Sequence, residues 1–269
     1  MKTVLLAGCG KMGSAMLAGW LDNLDDTIQF LVIDPMIGDN HFAQNNSRVT
    51  IMKALPESNL PSLDIIVLAM KPQMLMDALP DLMKHANDNT VWLSIAAGIT
   101  TSKLKSSLGI DARIIRTMPN TPAAIGRGIT AMLINEAVPQ FMRDMAHNMM
   151  AVVGEVVIVE EEMDMDRVTA VSGSGPAYIF LMREVMEKAA INSGLSPELA
   201  EKLVAATMSG SVALMDEGKV SPEQLRINVT SPNGTTQAAL DVLMKDKGLA
   251  DLIEEAVLAA RDRSIELGS

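Results

Sequence analysis

Short apolar runs alternate with amphipathic segments through the first 160 residues of the chain. The runs rich in Val, Ile and Leu are candidate strands: Thr3–Ala7, Ile28–Ile33, Arg48–Ile51, Asp64–Ala69, Val91–Ser94 and Arg113–Thr117, with Ile129–Ile134 and Glu155–Val159 as two further strands at an edge. Their nearly continuous apolar character is typical of strands covered on both faces. The pattern predicts an α/β domain with a mostly parallel sheet and helices on both faces.

After about residue 162 the pattern changes to helices separated by capping signals. Helices are expected from Ser174-Gly175-Pro176 to Ser193, from Ser196-Pro197 to about Glu217, after Ser221-Pro222-Glu223-Gln224, and at about Gln237–Lys245 and Leu249–Leu267. We therefore divide the chain into an α/β domain at 1–162 and an all-helical domain at 163–269. Such a small helical half offers little core for several long helices, which favours a dimer built through it.

The turn after the first strand carries the most informative motif. Residues Gly8, Cys9, Gly10, Lys11, Met12 and Gly13 fit G-x-G-x-x-G between a strand and a helix. In this motif the first glycine allows the tight turn, the second lets the backbone approach a pyrophosphate, and the third allows close helix packing. Asp34 ends the next strand, where a ribose-binding carboxylate is expected. Together these features predict a dinucleotide site.

Further segments follow the carboxyl ends of the predicted strands, where ligands bind in open α/β sheets. They are Met70-Lys71-Pro72-Gln73, Ile95-Ala96-Ala97-Gly98 and Met118-Pro119-Asn120-Thr121-Pro122. In the second half, Val229-Thr230-Ser231-Pro232-Asn233-Gly234-Thr235-Thr236 precedes a predicted helix, so its hydroxyl and N–H groups are suited to an anion. A helix cap without a ligand is the alternative interpretation of this segment.

Composition narrows the classes of function. A net charge of −11 argues against a nucleic-acid partner, and the apolar runs are too short for a membrane span. A single cysteine and the absence of a signal-peptide pattern at the N-terminus suit a cytoplasmic protein. His41, His85 and His147 lack the spacing of a metal site or a catalytic triad, so no metal is expected and each histidine is assigned a loop or surface role.

Six motifs follow one another along the chain: Gly8–Gly13, Met70–Gln73, Ser94–Ile99, Arg116–Ala123, Ala170–Tyr178, and Val229–Pro232 with Gly234–Thr236. Their order is that found in pyrroline-5-carboxylate reductases, and the chain resembles this family over essentially its full length. The Ala170–Tyr178 and Val229–Thr236 motifs are specific to the family, whereas the glycine-rich turn is shared with many unrelated enzymes.

The resemblance implies reduction of 1-pyrroline-5-carboxylate to L-proline by hydride transfer from NAD(P)H. It also implies a Rossmann domain followed by a helical dimerisation and substrate-binding domain in a homodimer, with higher oligomers open. Thr236 would hydrogen-bond the ring nitrogen, and the substrate carboxylate would be held by Ser231, Asn233, Gly234 and Thr235. The cofactor would contact Gly8–Gly13, Asp34, Met70, Lys71, Pro72, Ala96, Ala97, Asn120 and Thr121.

The chain departs from the family pattern in two respects, one in the substrate segment and one at the cofactor site. Asn233 replaces a second glycine, and asparagine is among the residues that best tolerate left-handed geometry. Asp34 would accept hydrogen bonds from a free ribose 2′-hydroxyl and repel a 2′-phosphate, and Pro56 replaces a phosphate-binding asparagine of some relatives. We therefore expect a preference for NADH, with Lys11 or Arg48 as residues that could still accommodate NADPH.

Two other functions remain open at this point. The first is a reductase of another cyclic imine or of a small carbonyl acid. The 3-hydroxyacid dehydrogenases place a catalytic lysine on the first long helix of their second domain, but here no lysine follows Gly175 until Lys188. The second is a non-catalytic nucleotide-sensing protein on the same scaffold.

Overall fold

The computed structural model describes residues 2–38, 40–57 and 60–268. Its contacts divide the chain into two compact units. The first, which we call the nucleotide unit, runs to Ser174 and includes the chain from Ala260 onward; the second, the helical unit, is Gly175–Ala259. The predicted domain boundary at 162/163 remains a prediction. No helix in the described part of the chain is both long and apolar enough to cross a membrane.

An eight-stranded sheet forms the centre of the nucleotide unit, with the order β3-β2-β1-β4-β5-β6-β7-β8. The strands are β1 Lys2–Ala7, β2 Ile28–Ile33, β3 Val49–Met52, β4 Ile65–Leu68, β5 Val91–Ser94, β6 Arg113–Met118, β7 Gly128–Ile134 and β8 Gly154–Ile158. All neighbours pair in parallel except β6 and β7, which are antiparallel. The predicted strands are confirmed to within about one residue at each end, and β7 and β8 lie at one side of the sheet, as expected.

Helices cover both faces of this sheet. They are α1 Lys11–Asn23, α2 Pro72–Met83, α3 Thr101–Leu108, α4 Gln140–Ala151 and α5 Glu162–Val168, with a 3-10 helix at Thr121–Ile125 and a π-helical turn at Thr169–Gly173. Alternate residues of β1 face opposite cores: Val4 and Leu6 pack with α1 and α4, whereas Leu5 and Ala7 pack on the side of α2 and α3. The α/β prediction with two covered faces is confirmed.

The helical unit contains α6 Gly175–Asn192, α7 Pro197–Asp216, α8 Pro222–Asn228, α9 Thr235–Leu243 and the first part of α10 Leu249–Gly268. The predicted serine caps form, because Ser196 accepts from the N–H of Leu199 and Ser221 from that of Gln224. Two predictions were incomplete: α9 begins two residues before Gln237, and α5 with its π-turn precedes α6 without having been expected. Neither has a side-chain cap that would mark its start in the sequence.

Trp20 joins three elements in the core of the nucleotide unit. Its side chain is fully buried on α1 and stacks on Phe30 of β2 with ring centroids 5.6 Å apart. Its indole Nε1 donates to the carbonyl oxygen of Met149 at 2.7 Å. Met149 lies in the last turn of α4, where carbonyls have no intrahelical partner. Trp20 therefore supplies both apolar area and a partner for a helix end.

Replacing Trp20 should expose these two contributions separately. We expect Trp20→Ala to lower the free energy of unfolding by about 3–5 kcal/mol through the cavity, and Trp20→Phe by about 1–3 kcal/mol, since the carbonyl of Met149 loses its donor. Denaturant unfolding measures both. Ile110→Ala, at a side chain 76% exposed, is the control and should change little. A loss for Trp20→Phe no larger than that of the control would contradict the hydrogen-bond contribution.

Candidate active site

The glycine-rich turn after β1 is shaped by close backbone contacts. Gly8 has a φ of +95°, and a Cβ added to it would lie 2.6 Å from the carbonyl oxygen of Ala69. A Cβ on Gly13 would lie 2.6 Å from the carbonyl oxygen of Gly8. Gly10 differs, because a Cβ there would meet nothing within 4 Å. Two of the glycines are thus required by the fold itself, whereas Gly10 leaves open space beside the first turn of α1.

Asp34 connects the end of β2 to this turn. Its Oδ2 accepts from the N–H of Cys9 at 2.7 Å, and its Oδ1 accepts from the N–H of Met36 at 2.8 Å. Each carboxylate oxygen can accept a further hydrogen bond, so a ribose hydroxyl can still be bound. Asp34 therefore holds the turn in place and also presents negative charge at the carboxyl edge of the sheet.

The other predicted cofactor positions follow the same edge. Lys71 caps α2 through its backbone and has an exposed side chain, with Met70 before it and Pro72 as the first helical residue. Ala96 follows β5, and its N–H donates to the hydroxyl of Ser94 at 3.3 Å. Because β1, β2, β4, β5 and β6 are parallel, the segments after them all lie at one edge of the sheet.

Asn120 and Thr121 follow β6 at this edge. Asn120 is 9% exposed, and its Oδ1 accepts from the N–H of Ile129 at 2.9 Å. The Thr117 hydroxyl donates to the carbonyl oxygen of Ser94 at 3.1 Å, which ties the ends of β5 and β6 together. The segments that contain Ala96, Ala97, Asn120 and Thr121 are therefore held by side-chain bonds within the edge.

Arg48 does not lie at this edge, so the expectation that it could accommodate a 2′-phosphate was wrong. It is 8% exposed and precedes β3, at the amino ends of the strands. Its guanidinium donates to the carbonyl oxygen of Leu21 in the last turn of α1 and to those of Leu24 and Asp25 just after this helix. Lys11, the first residue of α1, keeps an exposed side chain and remains a candidate.

His41 lies beside the glycine-rich turn, although nothing in the sequence indicated this. Its Nε2 is 3.4 Å from the hydroxyl of Ser14 and 3.7 Å from the sulfur of Cys9, and its Nδ1 accepts from the N–H of Ala43. Burial raises the pKa of the Cys9 thiol, so this thiol is uncharged at neutral pH. Within the described residues, no group of three or more His, Cys, Asp or Glu side chains is placed to hold a metal ion.

The threonine-rich segment of the helical unit ends in an open helix start. Asn233 has a φ of 58°, so it adopts the left-handed conformation that its replacement of glycine requires. Gly234 is the N-cap of α9 and its N–H donates to the carbonyl oxygen of Ser231 at 3.0 Å. Thr235 and Thr236 therefore belong to the first turn of α9, whose N–H groups receive no side-chain cap. Such a turn is suited to an anion.

Comparisons with known proteins agree with this geometry. A family model described as pyrroline-5-carboxylate reductase dimerisation matches residues 162–267, and one described as NADP oxidoreductase coenzyme F420-dependent matches residues 2–98. Pyrroline-5-carboxylate reductase 1 of Bacillus subtilis is 33% identical over 99% of this chain and 89% of its own length. The chain belongs to the pyrroline-5-carboxylate reductase family. The resemblance indicated by the motifs is confirmed.

Solved structures of family members superpose over nearly the whole chain. The pyrroline-5-carboxylate reductase of Coxiella burnetii has a TM-score of 0.85 at 33% identity and covers 99% of this chain and 98% of its own. The pyrroline carboxylate reductase of Plasmodium falciparum, solved with NADP bound, has a TM-score of 0.84 at 29% identity. The match covers 100% of this chain and 98% of that protein's chain. The predicted combination of a Rossmann domain with a helical dimerisation domain is therefore confirmed.

Gly10 offers a clean test of the nucleotide site in this family member. Its φ of −68° suits any residue and nothing lies within 4 Å of an added Cβ, so Gly10→Ala should leave the melting temperature unchanged. It should weaken NAD(P)H binding about tenfold or more, because the methyl group would occupy the space where the motif predicts the pyrophosphate. Fluorescence titration measures this binding.

Gly8→Ala is the contrasting variant. It should lower the melting temperature, because it combines a left-handed φ with a clash against Ala69. A melting temperature for Gly10→Ala that falls as far as that of Gly8→Ala, or an unchanged affinity for NAD(P)H, would contradict the assignment.

Proposed function

We propose that this chain reduces 1-pyrroline-5-carboxylate to L-proline, with NAD(P)H as the hydride donor. The observation that carries the proposal is the first turn of α9, where Gly234 leaves the backbone N–H groups open beside the hydroxyls of Thr235 and Thr236. A family-specific motif forms this turn, in a chain that also carries the open glycine turn at Gly10. Similarity to pyrroline-5-carboxylate reductases over nearly the whole chain supports the same conclusion.

The carboxylate of the substrate would bind at the start of α9. The uncapped N–H groups and the positive end of the helix dipole favour a negative charge there. Ser231 and Asn233 add exposed polar side chains to the same segment, and Gly234 contributes close backbone approach. Thr230 is less suited to this role, because its hydroxyl already donates to the carbonyl oxygen of Arg226 at 2.6 Å.

Thr236 would hydrogen-bond the ring nitrogen. A cyclic imine protonated to its iminium is already a good hydride acceptor, so the site has to fix the ring and its nitrogen and needs no strong acid. When bound, NAD(P)H supplies the hydride, and the products are proline and NAD(P)⁺. Ala96, Ala97, Asn120 and Thr121 would line the nicotinamide, and Met70, Lys71 and Pro72 the ribose and phosphates.

The two alternatives have less support. A carbonyl reductase of the 3-hydroxyacid type needs a lysine near the start of α6, whereas Lys188 lies in its fourth turn and pairs with Glu184. A nucleotide sensor would need no open helix start in the second half. Reduction of another cyclic imine would use the same groups. A comparison of kcat/KM for different cyclic imines therefore decides which of them is the substrate.

The helical unit would form a homodimer. No residue of α6 is buried in the single chain, and Ile179, Phe180 and Leu181 are each more than half exposed. The family model that matches this region describes a dimerisation domain. A cytoplasmic location without a nucleic-acid partner completes the proposal.

The function itself is tested by two assays of the purified protein. Oxidation of NADH or NADPH should depend on added 1-pyrroline-5-carboxylate and yield proline in equal amount. Proline should in turn support reduction of NAD(P)⁺ at high pH, since the reverse reaction releases a proton. A protein that binds NAD(P)H but turns over neither substrate would be a nucleotide sensor.

Thr236→Ala should lower kcat/KM for the imine by roughly tenfold, the effect of losing one hydrogen bond to a charged group. The affinity for NAD(P)H should stay unchanged. Thr236→Ser, which keeps the hydroxyl, should restore most of the activity, and Thr230→Ala is a matched threonine control that should have little effect. Equal losses in imine turnover and cofactor affinity would mean that Thr236 does not contact the substrate.

Cofactor preference is expected to favour NADH. The carboxylate of Asp34 repels a 2′-phosphate, and Pro56 offers no side-chain donor. The kcat/KM with NADH should therefore exceed that with NADPH. Asp34→Asn retains an oxygen that can accept from Cys9 N–H and removes the charge, so it should shift the preference towards NADPH at nearly constant stability.

Asp34→Ala is the companion variant, and it should also destabilise the turn, because Cys9 N–H loses its acceptor. A higher kcat/KM with NADPH in the unsubstituted protein would overturn the expected preference.

A further inference from the structure

The segment Ile95–Gly98, here called the β5 loop, is in contact with the end of the chain. Gly98 has a φ of +74°, and a Cβ added to it would lie 2.8 Å from Cβ of Leu267. A Cβ on Gly268 would lie 2.6 Å from the carbonyl oxygen of Gly98. Because both positions are glycine, the last turn of α10 packs directly on the backbone of the β5 loop. The position of this loop therefore depends on the position of that turn.

A second contact holds the residues that follow the loop. The carboxylate of Glu162, at the start of α5, accepts from the N–H of Thr101 at 3.2 Å. The same carboxylate pairs with Arg116 of β6, which is 1% exposed. A buried guanidinium needs its partner, so this pair fixes α5 against β6 and the start of α3.

Ser264 links the packing of α10 on the β5 loop to the bonds that Glu162 makes from α5. It is 4% exposed on α10, and its hydroxyl donates to Oδ1 of Asp166 on α5 at 2.6 Å. The partners are 98 residues apart in the sequence, so the bond sets how the end of α10 lies along α5. The chain of contacts then runs from Asp166 through Ser264 to Leu267 and Gly98.

We infer that Ser264 is a positioning residue for hydride transfer, which acts through Asp166 to set the last turn of α10 against Gly98 and thus the placement of Ala96 and Ala97. The inference rests on the proposed function, in which Ala96 and Ala97 line the nicotinamide. Ser264 itself contacts neither substrate nor cofactor. Loss of its hydroxyl would loosen the β5 loop and leave the glycine-rich turn at Gly8–Gly13 unchanged.

The test compares Ser264→Ala with two matched variants in the full-length protein. Asp166→Asn keeps an acceptor oxygen for Ser264 and should behave like the unsubstituted protein. Ser106→Ala removes an exposed serine hydroxyl that donates to the carbonyl oxygen of Lys103 in its own helix, so it controls for loss of a serine bond in general.

The first measurement is amide hydrogen exchange without cofactor. In Ser264→Ala, exchange at residues 95–101 should be faster by several-fold, and exchange at residues 8–13 should not change. The second is kinetic: kcat should fall roughly tenfold, with a larger deuterium isotope effect from 4-deuterated cofactor, since a misplaced ring slows the hydride step. The affinity for ADP-ribose, which lacks the nicotinamide, should stay constant.

Unchanged exchange at residues 95–101 in Ser264→Ala would overturn the inference and leave the proposed function intact. Faster exchange without any change in kcat or isotope effect would also overturn it, and would show that the β5 loop does not place the nicotinamide. An unsubstituted protein without imine reductase activity would refute the proposed function, and with it the inference, whatever the exchange results.

Discussion

Two backbone segments meet at the carboxyl end of β1 with no room for a side chain between them, and the nucleotide unit is arranged around this contact. Gly8 lies against Ala69 after β4, and Gly13 lies against Gly8 itself. Contacts this close bring α1 onto the ends of β1 and β4, and Asp34 then fastens the end of β2 through Cys9 N–H. The amide groups at the start of α1 are thereby fixed before any ligand arrives, which is the preorganisation that phosphate binding needs.

The sequence predicted the sheet well because its interior strands are buried on both faces. Ile65–Leu68 and Val91–Ser94 contain only buried residues, so an apolar run marks each strand up to the polar Ser94 at the end of the second. The glycine-rich turn and the serine caps at Ser196 and Ser221 were equally visible, since each depends on residues within one turn of the chain. At these positions the residue types alone are enough to predict the local backbone structure.

Features that depend on distant partners could not be predicted in the same way. Arg48 looked like a cation near the nucleotide edge, but its donors reach carbonyls at the end of α1, more than twenty residues away. His41 reaches Ser14 and Cys9 from a loop without periodicity. Thr235 and Thr236 resemble loop residues in the sequence, yet they begin α9, because Gly234 supplies a cap that has no side chain. A sequence pattern that looks for serine, threonine or aspartate at the N-cap does not detect a glycine there.

The glycine caps at Gly10 and Gly234 bear on the two anion sites of the proposed function. Helices α3, α7 and α8 start with Thr100, Ser196 and Ser221, whose oxygens accept first-turn N–H groups. A helix satisfied in this way has fewer donors left for a ligand. By contrast, the N-caps of α1 and α9 are Gly10 and Gly234, and neither helix has a side-chain cap. Glycine at an N-cap costs only a few tenths of a kcal/mol relative to a polar cap. A small loss of helix stability therefore leaves backbone donors free at the starts of α1 and α9, where the proposed function puts the cofactor phosphates and the substrate carboxylate.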